Sequence, residues 1–129
     1  MSKILFIEDE AAIQKTLGES LRSRGFDVKS ALDGEIGLRL AKSEKPDLIL
    51  LDLILPKKHG LEVLEELRKD ETTSNIPVMI LTNLENAGEV EKAIELGATT
   101  YLVKANYSLN EVIEKVEQAL AKKNIDSKA

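Results

Sequence analysis

Four apolar stretches of the chain end on polar residues that could do chemistry. These residues are Glu8 and Asp9, Asp52, Thr82 and Lys104. Carboxylates that approach one another repel and resist ionisation, and a divalent cation relieves that cost. Carboxylate oxygens with a few waters suit Mg²⁺, while a lysine and a hydroxyl could hold phosphoryl oxygens. If the stretches converge, the set predicts a site for Mg²⁺ and a phosphoryl group, with Asp52 as a carboxylate nucleophile.

Asp52 lies at the centre of the most informative stretch, residues 46–60. The apolar run at 48–51 is too continuous for a strand with one wet face and too short for a membrane span. It therefore predicts a central strand that is buried on both faces. Pro56 prevents a simple continuation of that strand, and Gly60 permits a sharp entry into the next helix. We expect Asp52 at the carboxyl end of the strand.

Apolar runs and helical patterns alternate five times along the chain, which is typical of a parallel sheet with crossover helices. The predicted strands cover residues 3–8, 26–31, 48–51, 78–81 and 99–104. The second predicted strand alternates apolar and polar residues, which indicates a sheet edge. In open parallel sheets, ligands bind beyond the carboxyl ends of the strands where the strand order reverses. If the first and third strands are neighbours, three carboxylates meet there.

The composition predicts one soluble domain over residues 1–122, with a polar C-terminal tail at 123–129 that frays. The 129 residues include no cysteine, which excludes a disulfide framework and a thiol nucleophile. No apolar run approaches the length of a membrane span or signal peptide, so a cytoplasmic location is expected. The net charge of −5, without a basic cluster, argues against direct nucleic-acid binding.

Five segments in this order resemble the receiver domain of bacterial two-component response regulators, especially the single-domain kind typified by the chemotaxis regulator. The segments are 7–10 (Ile-Glu-Asp-Glu), 46–56 with Gly60, 81–82 (Leu-Thr), 97–98 (Gly-Ala) and 101–104 (Tyr-Leu-Val-Lys). The resemblance covers residues 3–121. It implies an α/β, flavodoxin-like (βα)5 three-layer sandwich with a parallel five-stranded sheet of order 2-1-3-4-5.

The resemblance implies a phosphoacceptor of two-component signal transduction rather than an enzyme. Asp52 would accept a phosphoryl group from the phosphohistidine of a sensor histidine kinase or of a histidine phosphotransfer protein. Glu8 and Asp9 would hold Mg²⁺ together with Asp52 and the backbone carbonyl of Ile54. Such a domain assists its own Mg²⁺-dependent phosphorylation and dephosphorylation.

The resemblance also implies a switch that reports the phosphorylated state. Thr82 and Lys104 would hold the phosphoryl oxygens, and Tyr101 would turn inward as Thr82 moves. These movements would reshape the face made by the fourth helix, fifth strand and fifth helix, where a downstream protein would bind. The expected state is a monomer or a weak dimer linked to phosphorylation.

Three positions differ from the commonest receiver pattern. Ala105 stands where a proline usually follows in a cis peptide, and a non-proline cis bond costs roughly 2.5–4 kcal/mol, so we expect a trans or strained bond after Lys104. Asn83 is bulkier than the usual residue after Thr82 and could narrow access to the site. Ile54 places a branched apolar side chain beside the acceptor, and we expect it to slow hydrolysis of the phosphoryl group by hindering water.

Other interpretations of the same residues remain open on the sequence alone. The acids at 8–10 could simply favour a helix N-terminus. A pseudo-receiver would act as a scaffold without phosphate. An aspartyl-phosphate phosphohydrolase would need a second acid where Ile54 stands, and a flavodoxin-like cofactor binder would need a phosphate-cradling loop where the chain has three acids. His59, the single histidine, is interpreted as a plain surface residue.

Overall fold

The computed structural model describes residues 2–83 and 86–128, and within them five strands alternate with five α-helices. The strands are β1 (Lys3–Ile7), β2 (Asp27–Ala31), β3 (Leu48–Leu51), β4 (Val78–Thr82) and β5 (Thr100–Val103). The helices are α1 (Ala11–Ser23), α2 (Gly34–Glu44), α3 (Gly60–Lys69), α4 (Ala87–Glu95) and α5 (Leu109–Lys128), and a 3₁₀ turn covers Lys104–Asn106. None of the described helices is long and apolar enough to cross a bilayer.

All strand pairs in the sheet are parallel, and the strand order is β2-β1-β3-β4-β5. This order confirms the predicted flavodoxin-like topology, and β2 lies at the predicted edge. Ile7 at the end of β1 pairs in register with Leu51 at the end of β3. The residues that follow, Glu8 and Asp52, therefore leave the sheet side by side.

Helices cover both faces of the sheet, and alternate residues of each central strand feed two separate cores. On one face, Ile4 and Phe6 of β1 pack with apolar residues of α1 and α5. On the other face, Leu5 and Ile7 pack with apolar residues of α2, α3 and α4. Burial on both sides explains why the central strands are continuous apolar runs.

Glycine and proline mark the ends of three helices. Gly25 after α1 and Gly97 after α4 have φ angles of 94° and 84°, which glycine adopts without steric cost. Lys45 takes a left-handed φ of 48° directly before Pro46, so α2 ends where the proline requires.

Arg68 of α3 joins the helix to two neighbouring segments. Its guanidinium donates to the carbonyl oxygens of Leu96 at 2.7 Å, Ile76 at 2.8 Å, and Ser74 and Gly97 at 3.2 Å each. These contacts fix the chain before β4 and the C-terminal end of α4 to α3.

Helix α5 extends beyond residue 122, where the predicted domain boundary lies. The backbone of α5 is helical to Lys128, past residue 123 where a frayed tail was predicted, because no glycine or proline follows Ala121 to end the helix. Ala129 lies outside the described residues, and the domain boundary at 122 stays a prediction. Two apolar helix residues lie at the surface: Ile94 of α4 is 58% exposed and Leu109 of α5 is 39% exposed, so neither is a core residue.

Candidate functional site

Three carboxylates meet beyond the ends of β1 and β3. One side-chain oxygen from each of Glu8, Asp9 and Asp52 lies within 4.8 Å of the others. Glu8 and Asp52 are buried, whereas Asp9 is exposed. Carboxylate oxygens at this spacing are the donor set that Mg²⁺ takes in proteins, so these residues fit the predicted ion. The exposed Asp9 leaves the cluster in contact with solvent.

Lys104, directly after β5, reaches the same cluster. Its Nζ donates to Asp52 Oδ2 at 2.9 Å and to Glu8 Oε1, and it lies 3.8 Å from Glu10 Oε1. The Lys104 side chain is only 12% exposed. With all three carboxylates ionised, the cluster and the Lys104 ammonium would together carry two negative charges, which one divalent cation would balance.

Burial and hydrogen bonding act in opposite directions on two charged groups of the site, Glu8 and Lys104. Burial raises the pKa of Glu8 to about 7, against the opposing effect of the hydrogen bonds from Lys104 and from the Glu10 amide. Burial alone would lower the pKa of Lys104, but the hydrogen bonds to Glu8 and Asp52 outweigh it and raise that pKa above the ordinary lysine value. Lys104 therefore remains a fixed positive charge next to Asp52.

Both oxygens of the Asp52 carboxylate are held in place. Oδ1 accepts a hydrogen bond from the backbone N–H of Ile54 at 3.1 Å, and Oδ2 accepts from Lys104. The backbone N–H of Asp52 donates to the carbonyl of Ile7 at 3.0 Å, which ties it to the end of β1. The carboxylate has a fixed orientation before any ligand binds.

Gly60 closes the loop that follows Asp52. Its N–H donates to the carbonyl of Leu53 at 2.8 Å. A Cβ at this position would lie 2.4 Å from Leu53 Cα and 2.5 Å from the carbonyl oxygen of Asp52, so no side chain fits. The predicted sharp entry into α3 thus rests on close backbone contact as well as on turn geometry.

The remaining predicted residues lie on β4 and β5 or in the loops that follow β3 and β4. Thr82 ends β4 and is fully buried, and Tyr101 of β5 is half-buried against the α2, α3 and α4 side of the sheet. Ile54 is 55% exposed, and Asn83 is exposed. The switch roles of Thr82 and Tyr101 and the Ile54 carbonyl ligand stay predictions.

The peptide bond between Lys104 and Ala105 is trans, since the described residues contain no cis bond. It opens the 3₁₀ turn before α5. Of the two predicted possibilities for this bond, trans or strained, the structure shows a trans bond.

Sequence reasoning missed two supporting side chains. His59 is more than a plain surface residue, because its Nδ1 accepts the N–H of Leu61 at 3.1 Å and caps α3. Gln14 of α1 reaches the ends of β1 and β2. The sequence pattern could have indicated that Gln14 is buried, because position 14 lies on the same helical face as apolar Leu17 and Leu21.

An open parallel sheet that gathers acids after its first and third strands and a lysine after its fifth defines the receiver class of signalling domains. The chain belongs to the response regulator receiver domain family, which matches residues 4–117. It is a receiver domain of two-component response regulators, a signalling domain rather than a member of a classical enzyme family. Membership of this family favours a phosphoacceptor signalling domain over the phosphohydrolase and cofactor-binder interpretations.

Curated relatives include the DNA-binding dual master transcriptional regulator RpaA of Synechocystis sp., 40% identical over 93% of this chain and 49% of that protein. The alkaline phosphatase synthesis regulatory protein PhoP of Bacillus subtilis is 39% identical over 95% of this chain and 50% of its own length. The chain thus spans about half the length of the curated relatives it matches.

Solved structures agree on the fold. A CheY-like receiver domain protein from Methanospirillum hungatei JF-1 has a TM-score of 0.91 at 24% identity and covers 98% of both chains. The receiver domain of the Francisella response regulator 1452 has a TM-score of 0.85 at 28% identity, over 95% of this chain and 99% of that one.

Proposed function

We propose that the protein is a phosphoacceptor that acts in the cytoplasm, with Asp52 as the acceptor and Mg²⁺ held by Glu8, Asp9, Asp52 and the Ile54 carbonyl. The observation that supports this function is the fixed Asp52 carboxylate, bonded through one oxygen to Lys104 and through the other to a backbone amide, within a cluster of three acids. If the acids at 8–10 served only to stabilise the N-terminus of α1, the contact with Lys104, which follows β5, would have no role.

The reaction moves a phosphoryl group from a histidine to Asp52. One carboxylate oxygen of Asp52 forms the new bond to phosphorus, the phosphorus–nitrogen bond of the donor breaks, and its electron pair returns to the imidazole. Lys104 then exchanges its bond to Asp52 for one to a phosphoryl oxygen, and Thr82 donates its hydroxyl to another. Mg²⁺ held by Glu8, Asp9 and Asp52 would offset the charge on the transferring oxygens. The same cluster assists hydrolysis of the acyl phosphate.

The proposed donor is a sensor histidine kinase or a histidine phosphotransfer protein, and the proposed readout is a change in the face formed by α4, β5 and α5. Tyr101 of β5 and the exposed Ile94 of α4 belong to these elements. A downstream protein would bind there, and the chain would act as a monomer or a weak phosphorylation-linked dimer. With a net charge of −5, this stretch is not proposed to bind DNA itself, although RpaA is described as DNA-binding.

Incubation with Mg²⁺ and a small-molecule phosphodonor, followed by intact mass measurement, tests the proposal. We expect a gain of one phosphoryl group in the wild type and in Asp27→Ala, a control at the sheet edge, but none in Asp52→Ala or with a chelator. Circular dichroism would confirm that both variants fold. No gain in the wild type would support the pseudo-receiver alternative, and a gain that survives in Asp52→Ala would refute Asp52 as the acceptor.

A further inference from the structure

Gln14 is a buried polar side chain that the proposed reaction does not use. It lies in the first half of α1 and is 7% exposed. Its Nε2 lies 2.8 Å from the carbonyl oxygen of Phe6 and 3.1 Å from those of Glu8 and Ala31. One amide group thus joins α1 to the ends of both β1 and β2.

These contacts hold the chain at the point where it leaves the sheet to supply metal ligands. Ile7 and Ala31 are the last register partners of β1 and β2, and the N–H of Glu8 donates to the Ala31 carbonyl at 3.0 Å. Beyond that bond, Gln14 supplies the donor to the Glu8 carbonyl. The backbone of Glu8 is therefore fixed from its N–H and from its carbonyl.

The amide oxygen of Gln14, in contrast to its nitrogen, makes no hydrogen bond that could stabilise the fold. Its Oε1 is buried and has no hydrogen-bond partner among the described residues. A buried acceptor without a partner is unfavourable, and an apolar residue here would avoid that cost. Turning the amide over would bring Oε1 against three carbonyl oxygens, so the donor must face β1 and β2. The benefit of a glutamine at this position lies in the N–H groups alone.

We propose that Gln14 is a positioning residue for the metal site. By fixing the backbone of Glu8, it sets the direction in which the Glu8 and Asp9 carboxylates project toward Asp52 before a cation binds. Groups that orient metal ligands typically change metal affinity by about 10–100-fold when removed. The inference rests on the Mg²⁺-binding part of the proposed function and does not require phosphoryl transfer.

The test is Mg²⁺ titration of purified variants by calorimetry, with the amide NMR signals of residues 8–10 as a second readout. Gln14→Met keeps the length of the side chain and removes the donor, so we expect the Mg²⁺ Kd to rise about tenfold. Gln118→Met changes the other glutamine of the chain, which is exposed on α5, and should leave Kd unchanged. Leu17→Ala opens the core on the same helix face and should lower stability without changing Kd.

A wild-type Kd in Gln14→Met would overturn the inference, as would an equal loss of affinity in Leu17→Ala, which would show a general loss of stability. If Gln14→Met does not fold, Gln14→Asn decides, because its shorter amide cannot reach all three carbonyls and should also raise Kd. A wild type that binds no Mg²⁺ would overturn both this inference and the proposed function. Altered Mg²⁺ binding in Gln14→Met, with no phosphoryl uptake by any variant, would support the inference and refute only the phosphoacceptor function.

Discussion

Replacing Gly60 by alanine should destabilise the domain, because the added Cβ has no space. It would lie 2.4 Å from Leu53 Cα and 2.5 Å from the Asp52 carbonyl oxygen. Both obstacles are backbone atoms, which cannot turn away as a flexible side chain can. Overpacking of this kind costs about 1–3 kcal/mol, and the rigid obstacles place this site toward the upper end of that range. The loop after Asp52 must shift to admit the methyl group, so phosphoryl uptake should fall as well.

Urea unfolding followed by circular dichroism would measure this cost. With a dependence of about 2 kcal/mol per M urea, a loss of about 3 kcal/mol moves the midpoint down by roughly 1.5 M. Gly18→Ala is the matched control, since its nearest obstacle is the flexible end of Arg22 at 3.4 Å. Alanine is favoured over glycine inside α1 by about 0.5–1 kcal/mol, so this midpoint should rise. A Gly60→Ala midpoint equal to or above that of the wild type would refute the steric reasoning.

Three further outcomes follow from individual contacts. Ile54→Asn should shorten the lifetime of the acyl phosphate, followed by intact mass over time, because the branched side chain hinders water; an unchanged or longer lifetime would contradict this. Arg68→Ala should lower the free energy of unfolding by about 1–3 kcal/mol, since it removes the donor from several partly buried carbonyls, whereas the exposed Arg39→Ala should not. Without metal, the stability measured by urea unfolding should fall as the pH rises from 4.5 to about 7, because folded Glu8 keeps its proton to about 7 while the unfolded chain releases it near 4.5. Glu8→Gln should lack that decline, and an equal decline in the variant would assign it to other groups.

The sheet and the acidic cluster could be predicted because the information for them is local. A continuous apolar run such as 48–51 indicates burial on both faces, and parallel strands bring their carboxyl ends to one edge. A single neighbour relation, β1 beside β3, then places Glu8 next to Asp52. The meeting of the acids needs no further detail of packing.

The supporting contacts could not be predicted in this way. Arg68 bonds to carbonyls up to 29 residues away in the chain, and nothing in its local pattern separates it from a surface arginine. The polar residues after 122 predicted a frayed tail, while the backbone of α5 is helical to Lys128 through a segment that contains no glycine or proline. The exposure of Ile94 likewise depends on the orientation in which α4 packs against the rest of the domain, and the spacing of apolar residues alone does not determine that orientation.

Lys104 also affects whether the chain can fold without a bound metal ion. Its ammonium lies among Glu8, Glu10 and Asp52 and serves as a built-in counter-ion for the acids. The polypeptide therefore need not capture a cation to complete folding, unlike small domains that are unfolded without metal. Under the proposed function, a shortage of Mg²⁺ in the cell would stop phosphoryl uptake while the chain stays folded and protected from the proteases that remove unfolded chains, so its abundance and its activity could be set independently.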